Sequence, residues 1–232
     1  MIRKYNERLK TLIQLRNVEK IYKIGEVEVP ALRGLNLNVR DGEFLAVLGP
    51  SGSGKSTMLN SVGCLDIPTR GTIHLGEFDI ESLSESDLAQ IRGKKIGFIF
   101  QSFNLIDSLT ALENVMLPMV FQKVPEEKRK KRAIMLLEKV GLGHRMNHRP
   151  SELSGGQMQR VAIARALSNN PEVILADEPT GNLDSKTSDE ILRFLKELNE
   201  KEGKTIVMIT HDSDSAAYAK RVVHLKDGRI EE

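Results

Sequence analysis

Eight consecutive residues, Gly49-Pro50-Ser51-Gly52-Ser53-Gly54-Lys55-Ser56, carry the strongest chemical signal in the chain. Glycines at the first, fourth and sixth places let successive backbone N–H groups turn inward around one anion. A lysine and a hydroxyl then follow in the pattern G-x-x-x-x-G-K-[ST]. In that pattern the amine reaches the β- and γ-phosphates of a nucleotide and the hydroxyl ligates its Mg2+. Thr57 supplies a further hydroxyl for the α-phosphate. An apolar run at residues 44–48 precedes the motif, and Met58, Leu59 and Val62 follow it in helical spacing. This strand-loop-helix context is what a phosphate cradle requires. The predicted phosphate ligands are therefore Gly49, Ser51, Gly52, Ser53, Gly54, Lys55, Ser56 and Thr57.

A second signal is Asp177-Glu178, two carboxylates ending the apolar run at residues 173–176. Alone it would be an ordinary acidic loop after a strand. Parallel strands, however, deliver their C-terminal ends to one edge of a sheet, where ligands bind. Beside a phosphate cradle, Asp177 is expected to hold Mg2+, and Glu178 to act as general base on an attacking water.

The third signal is Leu153-Ser154-Gly155-Gly156-Gln157. Ser154 and Gln157 form a capping box that opens a helix carrying Val161, Ile163, Ala164 and Leu167. Glycines directly after the cap leave the N-terminal N–H groups open to an anion. The local pattern fits two readings equally: an anion-receiving helix end, or a well-capped helix with no ligand.

The elements that must position these residues are legible from periodicity. Residues 11–22 alternate apolar and polar, as a half-buried strand does. Residues 35–39 read as another strand, with Asp41-Gly42 as a turn. Gly71 and Gly76 bracket a short strand, and residues 96–100 read as one more. Between residues 104 and 167 the helical period dominates, with Ala133, Leu136, Leu137 and Val140 forming one stripe. Strand and helix then alternate: residues 173–176, a helix lined by Ile191, Phe194, Leu195 and Leu198 that ends near Gly203, and a strand at residues 205–209. The implied fold is α/β, a P-loop core with a parallel sheet, an early antiparallel β sub-lobe and an inserted helical sub-lobe.

Bulk properties narrow the function. The chain has 232 residues, 40% hydrophobic and 28% charged, enough for one domain with a real core. A net charge of +2 is too small to argue for nucleic acid. The basic cluster at residues 128–132 reads as a solvated helix face. Cys64 is the one cysteine, which excludes a disulfide framework; its neighbours suggest a core position in a reducing compartment. No apolar run reaches the roughly 18–20 residues of a membrane span, and the first ten residues lack a signal-peptide core.

Along residues 12–231 the sequence resembles the nucleotide-binding domain of ATP-binding cassette (ABC) transporters, and LSGGQ is that family's signature. The resemblance implies that Ser154, Gly155, Gly156 and Gln157 face the ATP held by a second copy of the chain, so that two nucleotides are sandwiched in a head-to-tail dimer. It further implies that Tyr22 stacks on adenine. Gln101 would be the glutamine that reaches Mg2+ and the attacking water. Leu183 and Asp184 would contact the opposite subunit, and His211 would contact the γ-phosphate.

The cofactors implied are ATP and Mg2+, with Ser56, Gln101 and Asp177 as metal ligands and Glu178, His211 and Gln101 as catalytic residues. The expected organisation is a single ABC ATPase domain. Residues 12–101 and 168–232 form the catalytic core, residues 102–167 the helical lobe, and residues 1–11 an extension. The segments CLDIPTRG, IGFIFQSFNL and LTALENVMLP resemble the subfamily of lipoprotein release and macrolide export. The resemblance therefore implies a separate permease partner at the cytoplasmic face of the membrane, and no nucleic-acid partner. The competing class, soluble ABC ATPases of DNA repair or translation, usually brings coiled-coil insertions, zinc modules or paired cassettes, none of which occurs in the sequence.

Overall fold

The computed structural model describes residues 10–231. The chain opens with two long paired strands, β1 (Thr11–Ile24) and β2 (Val27–Arg40), then β3 (Phe44–Leu48) and helix α1 (Lys55–Val62). Next come β4 (Arg70–Leu75), β5 (Phe78–Asp79), α2 (Glu85–Lys95) and β6 (Ile96–Ile99). Helices α3 (Ala111–Phe121), α4 (Glu126–Lys139) and α5 (Gly155–Ala166) follow. The chain finishes with β7 (Val173–Asp177), α6 (Ser185–Glu202), β8 (Thr205–Thr210), α7 (Ser213–Ala216), β9 (Arg221–Lys226) and β10 (Arg229–Glu231).

Two sheets result. The smaller has the order β2-β1-β4-β5 and is antiparallel throughout. The larger has the order β10-β9-β3-β8-β7-β6; β10 and β9 form an antiparallel hairpin, and β9-β3, β3-β8, β8-β7 and β7-β6 are each parallel. Strand β7 is buried from Val173 to Ala176 and β8 is buried over all six residues. Such uninterrupted apolar strands are stable only when both faces of the sheet are covered. One apolar cluster joins the sheet to Ala133, Leu136, Leu137 and Val140 of the α4 stripe and to Val161 and Ile163 of α5. A second joins it to α1 and the smaller sheet, and includes Cys64. Burial pushes the Cys64 thiol up to about 11, so it packs as a small hydrophobe.

The sequence expectations hold for both sheet types and are corrected in detail. Thr11, expected in the extension, pairs with Arg40 as the first residue of β1. The remainder of the expected extension, residues 1–9, lies outside the described residues. Strand β6 stops at Ile99, one residue before the expected end, and β2 starts eight residues before its expected start. The larger sheet is mixed, because β10 returns antiparallel beside β9. Helix α2 and strands β9 and β10 were not anticipated. The basic cluster is only partly solvated: Arg129 and Arg132 turn inward and donate to the carbonyls of Val124 (2.7 Å) and Leu167 (3.2 Å).

Close backbone approaches fix how α5 sits on the sheet. A Cβ on Gly97 would lie 2.5 Å from the Ala166 carbonyl oxygen, so β6 touches the end of α5 directly. Any side chain there would separate the two elements. Helix α6 is bounded by Asp184 as N-cap and by Gly203 in the left-handed region at φ 66°.

Candidate functional site

Strand register brings the predicted residues to one edge. Leu48, last in β3, pairs with Thr210 of β8, and Ile209 of β8 pairs with Asp177 of β7. The loop after β3, the acidic pair after β7 and His211 after β8 therefore emerge side by side. Backbone bonds lock the exits: Gly49 donates to the Thr210 carbonyl (3.3 Å) and Glu178 to that of Ile209 (3.0 Å). Gln101 follows β6, whose Ile99 pairs with Ala176, and so joins the same edge.

The phosphate loop is built around its glycines. A Cβ on Gly49 would lie 2.1 Å from the Leu225 carbonyl oxygen, and one on Gly54 would lie 2.5 Å from that of Ala31. Gly54 also sits at φ 101° as the N-cap of α1, with no side chain capping that end. The helix therefore starts with free N–H groups, which suit a polyphosphate. Lys55 is nearly buried, and its ammonium donates to the Gly49 (2.7 Å) and Pro50 (2.8 Å) carbonyls, which holds the charge over the loop. Ser53 Oγ is buried without a hydrogen-bond partner beside that loop.

Burial raises the Asp177 carboxyl above its ordinary value, and the Glu178 charge adds to the rise. The Ser56 hydroxyl and the Lys55 charge act in the opposite direction, which places both beside Asp177. One carboxylate, one hydroxyl and a neighbouring amide are hard oxygen donors, few in number. That set fits Mg2+, which takes most of its ligands from substrate phosphates and water. Among the described residues no group of three or more acidic, histidine or cysteine side chains forms a stand-alone metal site.

Glu178 occupies the left-handed region at φ 43°, rare for a residue with a side chain. Its Oε1 lies 2.9 Å from His211 Nδ1, and its side chain is largely shielded while that of His211 is 62% exposed. The pair borders a cavity of about 480 Å3 whose walls include Gly181, Leu183 and Ser188. Gln101 is held by Asn182: the Asn182 amide donates to the Gln101 carbonyl (3.0 Å) and the Gln101 amide reaches Asn182 Oδ1 (3.5 Å).

Tyr22 stands at the other end of the phosphate loop. Its hydroxyl donates to Asp66 (2.8 Å), and the Lys20 ammonium lies 5.2 Å from the ring centroid. Burial raises the Tyr22 hydroxyl's pKa and Asp66 reinforces this, while the Thr57 hydroxyl works against it. The Tyr22 hydroxyl and Thr57 are thus neighbours.

The residues of the LSGGQ segment are not brought to this phosphate loop. Ser154 caps α5, accepting from the Gln157 N–H (3.3 Å), while Gln157 Oε1 accepts from the Ser154 N–H (3.0 Å). A Cβ on Gly155 would touch Leu183 and one on Gly156 would lie 2.5 Å from Thr187 Cγ2, so the segment packs on the start of α6. Asp184 uses both oxygens there, accepting from the Thr187 N–H (3.0 Å) and hydroxyl (2.6 Å). Those bonds lower its pKa.

Several positioning residues escape sequence reasoning: Asp66, Gly181, Asn182 and Arg165. Arg165 donates to the carbonyl oxygens of Phe103 (2.7 Å) and Asn104, holding the segment after Gln101. Each acts across a long sequence separation. Asp66 lies inside the segment CLDIPTRG, and Gly181 and Asn182 directly precede Leu183-Asp184, but no role follows for any of them from those segments alone.

A P-loop at the edge of a parallel sheet, with an acidic pair and a histidine on the adjoining strands, defines a nucleotide-hydrolysing cassette. The ABC transporter family model matches residues 32–181. The chain is 54% identical to the ABC transporter ATP-binding protein MJ0796 of Methanocaldococcus jannaschii, over 95% of both chains. It is 50% identical to the macrolide export ATP-binding/permease protein MacB of Syntrophobacter fumaroxidans, covering 95% of this chain and 31% of that protein. A solved dimeric structure of the MJ0796 cassette in a post-hydrolysis state with ADP and Pi superimposes with a TM-score of 0.88 at 52% identity, covering 95% of this chain and 97% of that one. The chain belongs to the ABC transporter family, as its ATP-binding, ATP-hydrolysing cassette.

Proposed function

We propose that two copies of this chain close head to tail on two ATP molecules and that hydrolysis reopens them, moving a membrane permease. The observation that carries this reading is the strand register, which sets the phosphate loop, Asp177, Glu178 and His211 side by side, while the LSGGQ segment packs on Leu183 and Thr187 at the start of α6. The dimeric state of the MJ0796 cassette with ADP and Pi supports a reading in which the LSGGQ segment meets a nucleotide held by a second copy.

In this reading the backbone N–H groups of Gly49, Ser51, Gly52, Ser53 and Gly54 cradle the polyphosphate, with Lys55 on its outer oxygens and Thr57 on the α-phosphate. Tyr22 stacks on the adenine. Ser56, Asp177 and Gln101 would hold Mg2+, which would neutralise phosphate charge when bound. Glu178 takes a proton from the attacking water, and His211 and Gln101 orient the γ-phosphate and that water. Ser154, Gly155, Gly156 and Gln157 close on the partner's γ-phosphate with the free N–H groups of the α5 N-terminus. Leu183 and Asp184 contact the partner at the same seam.

Among the described residues no helix is long and apolar enough to cross a membrane. A permease partner supplies that part, with the cassette held peripherally at the cytoplasmic face. The likeness to MacB, whose own chain continues well beyond this length, supports an exporting or extracting permease with a lipophilic or peptide-like substrate.

The test is light scattering with size-exclusion chromatography on Glu178→Gln, with and without ATP. The expected result is an ATP-dependent shift from monomer to dimer, together with a loss of hydrolysis of about 10²–10⁴-fold. A mass that stays monomeric in ATP, with turnover intact, sinks both the sandwich and the base.

A further inference from the structure

We infer that Gln159 is a positioning residue, tying the helix that begins with LSGGQ to the turn that carries Glu178 in the same chain. The inference rests on the reading of Glu178 as general base and adds a residue that acts through it. Gln159 lies on α5, five residues after the Ser154 cap, and is completely buried. Its Nε2 donates to the Pro179 carbonyl at 2.5 Å, and its Oε1 has no partner. A buried primary amide whose carbonyl oxygen has no partner carries a desolvation cost. The one contact it does make is to the residue directly after Glu178.

That turn needs holding. Glu178 sits at φ 43°, and it precedes a proline, whose ring further restricts the backbone before it. Backbone strain of this kind persists only where the surroundings over-determine it. Three bonds pin the turn: the Glu178 N–H donates to the Ile209 carbonyl (3.0 Å), the Gly181 N–H to the Glu178 carbonyl (3.0 Å), and Gln159 to the Pro179 carbonyl. The first two belong to the sheet edge and to the turn itself. Only the third comes from the LSGGQ helix. Without it the turn can relax toward an unstrained conformation and carry the Glu178 carboxylate away from His211.

The consequence is a rigid path from the helix end that meets one nucleotide to the base that acts on the other. Helix α5 is stopped at its far end by the β6 contact at Gly97, so a displacement of its N-terminus is passed to Pro179 rather than absorbed. Gln159 thereby couples the two composite sites.

The experiment compares the parent, Gln159→Met, Gln159→Asn, Glu178→Gln and the double variant Gln159→Met with Glu178→Gln. Monomer ATP affinity, kcat and KM are measured for each. Methionine keeps the volume and removes the donor; asparagine keeps the amide but withdraws it by one methylene. Both should lower kcat by about 10–100-fold, the scale of a small misplacement of a catalytic group. Monomer ATP affinity and KM should stay within about twofold, and the double variant should be no slower than Glu178→Gln by more than about twofold, because residues acting as a unit are non-additive. If Gln159→Met fails to bind ATP, Gln159→Asn and its own double variant decide. A kcat within about twofold of the parent for either substitution, or a double variant that loses the full factor a second time, overturns the inference. Normal turnover by Glu178→Gln would instead remove the base itself, and is seen in a separate arm.

Discussion

His211 Nδ1 lies 2.9 Å from Glu178 Oε1, joining the residue after β8 to the residue after β7 across two adjacent parallel strands. The two side chains differ in access: that of His211 is 62% exposed, that of Glu178 only 19%. The histidine can therefore meet a ligand from the open side while still orienting the shielded carboxylate. His211→Ala should lower kcat by about 10²-fold, at the low end of what a positioned acid–base partner contributes. Monomer ATP affinity should change little, since every phosphate-loop contact is kept and only the proposed γ-phosphate contact of His211 is lost. Steady-state hydrolysis beside equilibrium binding decides it; an unaltered kcat would remove His211 from the reaction.

Most of this site was legible in the sequence because its residues sit at fixed offsets from strand ends. The phosphate loop and the Asp177-Glu178 pair each follow a wholly apolar run, and an apolar run ending in polar residues marks both the strand and its exit; His211, which the family resemblance pointed to, follows Thr210 at the end of β8. What the sequence concealed is contact across distance. Asp66 meets Tyr22 across 44 residues and Asn182 meets Gln101 across 81, and no local pattern announces either bond. Helix α2 was hidden for a different reason: it buries only Leu88 and Ile91, so its apolar stripe is too thin to stand out, although Ser84 caps it. Strand β10 at the sheet edge is short, and β9 beside it is mostly exposed, so neither carries a strong alternation. The inward turn of Arg129 and Arg132 shows the limit of reading charge as exposure, because carbonyls at loop ends can draw a guanidinium inward.

Ser154 serves two purposes, and substitution should separate them. As the cap of α5 it contributes about 1 kcal/mol, the usual worth of such a bond. As the residue at the helix end it is proposed to meet the nucleotide of a second copy. Ser154→Arg should abolish hydrolysis while the monomer still binds ATP and loses only a few degrees of Tm, about 2–4 °C for a chain of this length. Isothermal titration on the monomer, with a melting curve, reads both effects. Lost ATP binding in a folded monomer would mean that the segment serves its own subunit.

The hold of Asp66 on Tyr22 makes a prediction with a pH signature. Burial alone would raise the Asp66 pKa, but the hydrogen bonds from Lys20 and then Tyr22 more than reverse it, so the carboxyl titrates below its ordinary value. A folded-state pKa below the unfolded one gives stability that is present above the unfolded value, about 3.9, and is lost as pH falls through the folded value. Asp66→Asn should therefore lower Tm near neutrality, by about 1–2 °C since the pair is partly exposed, and the difference should shrink below about pH 4. The freed Tyr22 ring should weaken affinity for ATP but not for inorganic tripolyphosphate, which has no base to stack. Equal weakening for both ligands would place Asp66 in the phosphate site instead.

Gly181 offers the sharpest test of how Gln101 is placed. A Cβ there would lie 2.7 Å from Gln101 Nε2 and 3.1 Å from its Cδ, closer than packed atoms tolerate. The Gly181 backbone is not in the left-handed region, so alanine brings no backbone strain. The substitution acts by pushing aside one flexible amide, and the bond from that amide to Asn182, already long at 3.5 Å, should be the first to go. Gly181→Ala should leave Tm within about 2 °C, as expected of a change that opens no cavity, while lowering kcat by about tenfold or more. The stimulation of hydrolysis by Mg2+ should become weaker, because Gln101 is one of the proposed ligands. A magnesium titration of the hydrolysis rate checks this: an unchanged half-saturation concentration together with a full kcat would show that Gln101 needs no fixed position to do its work.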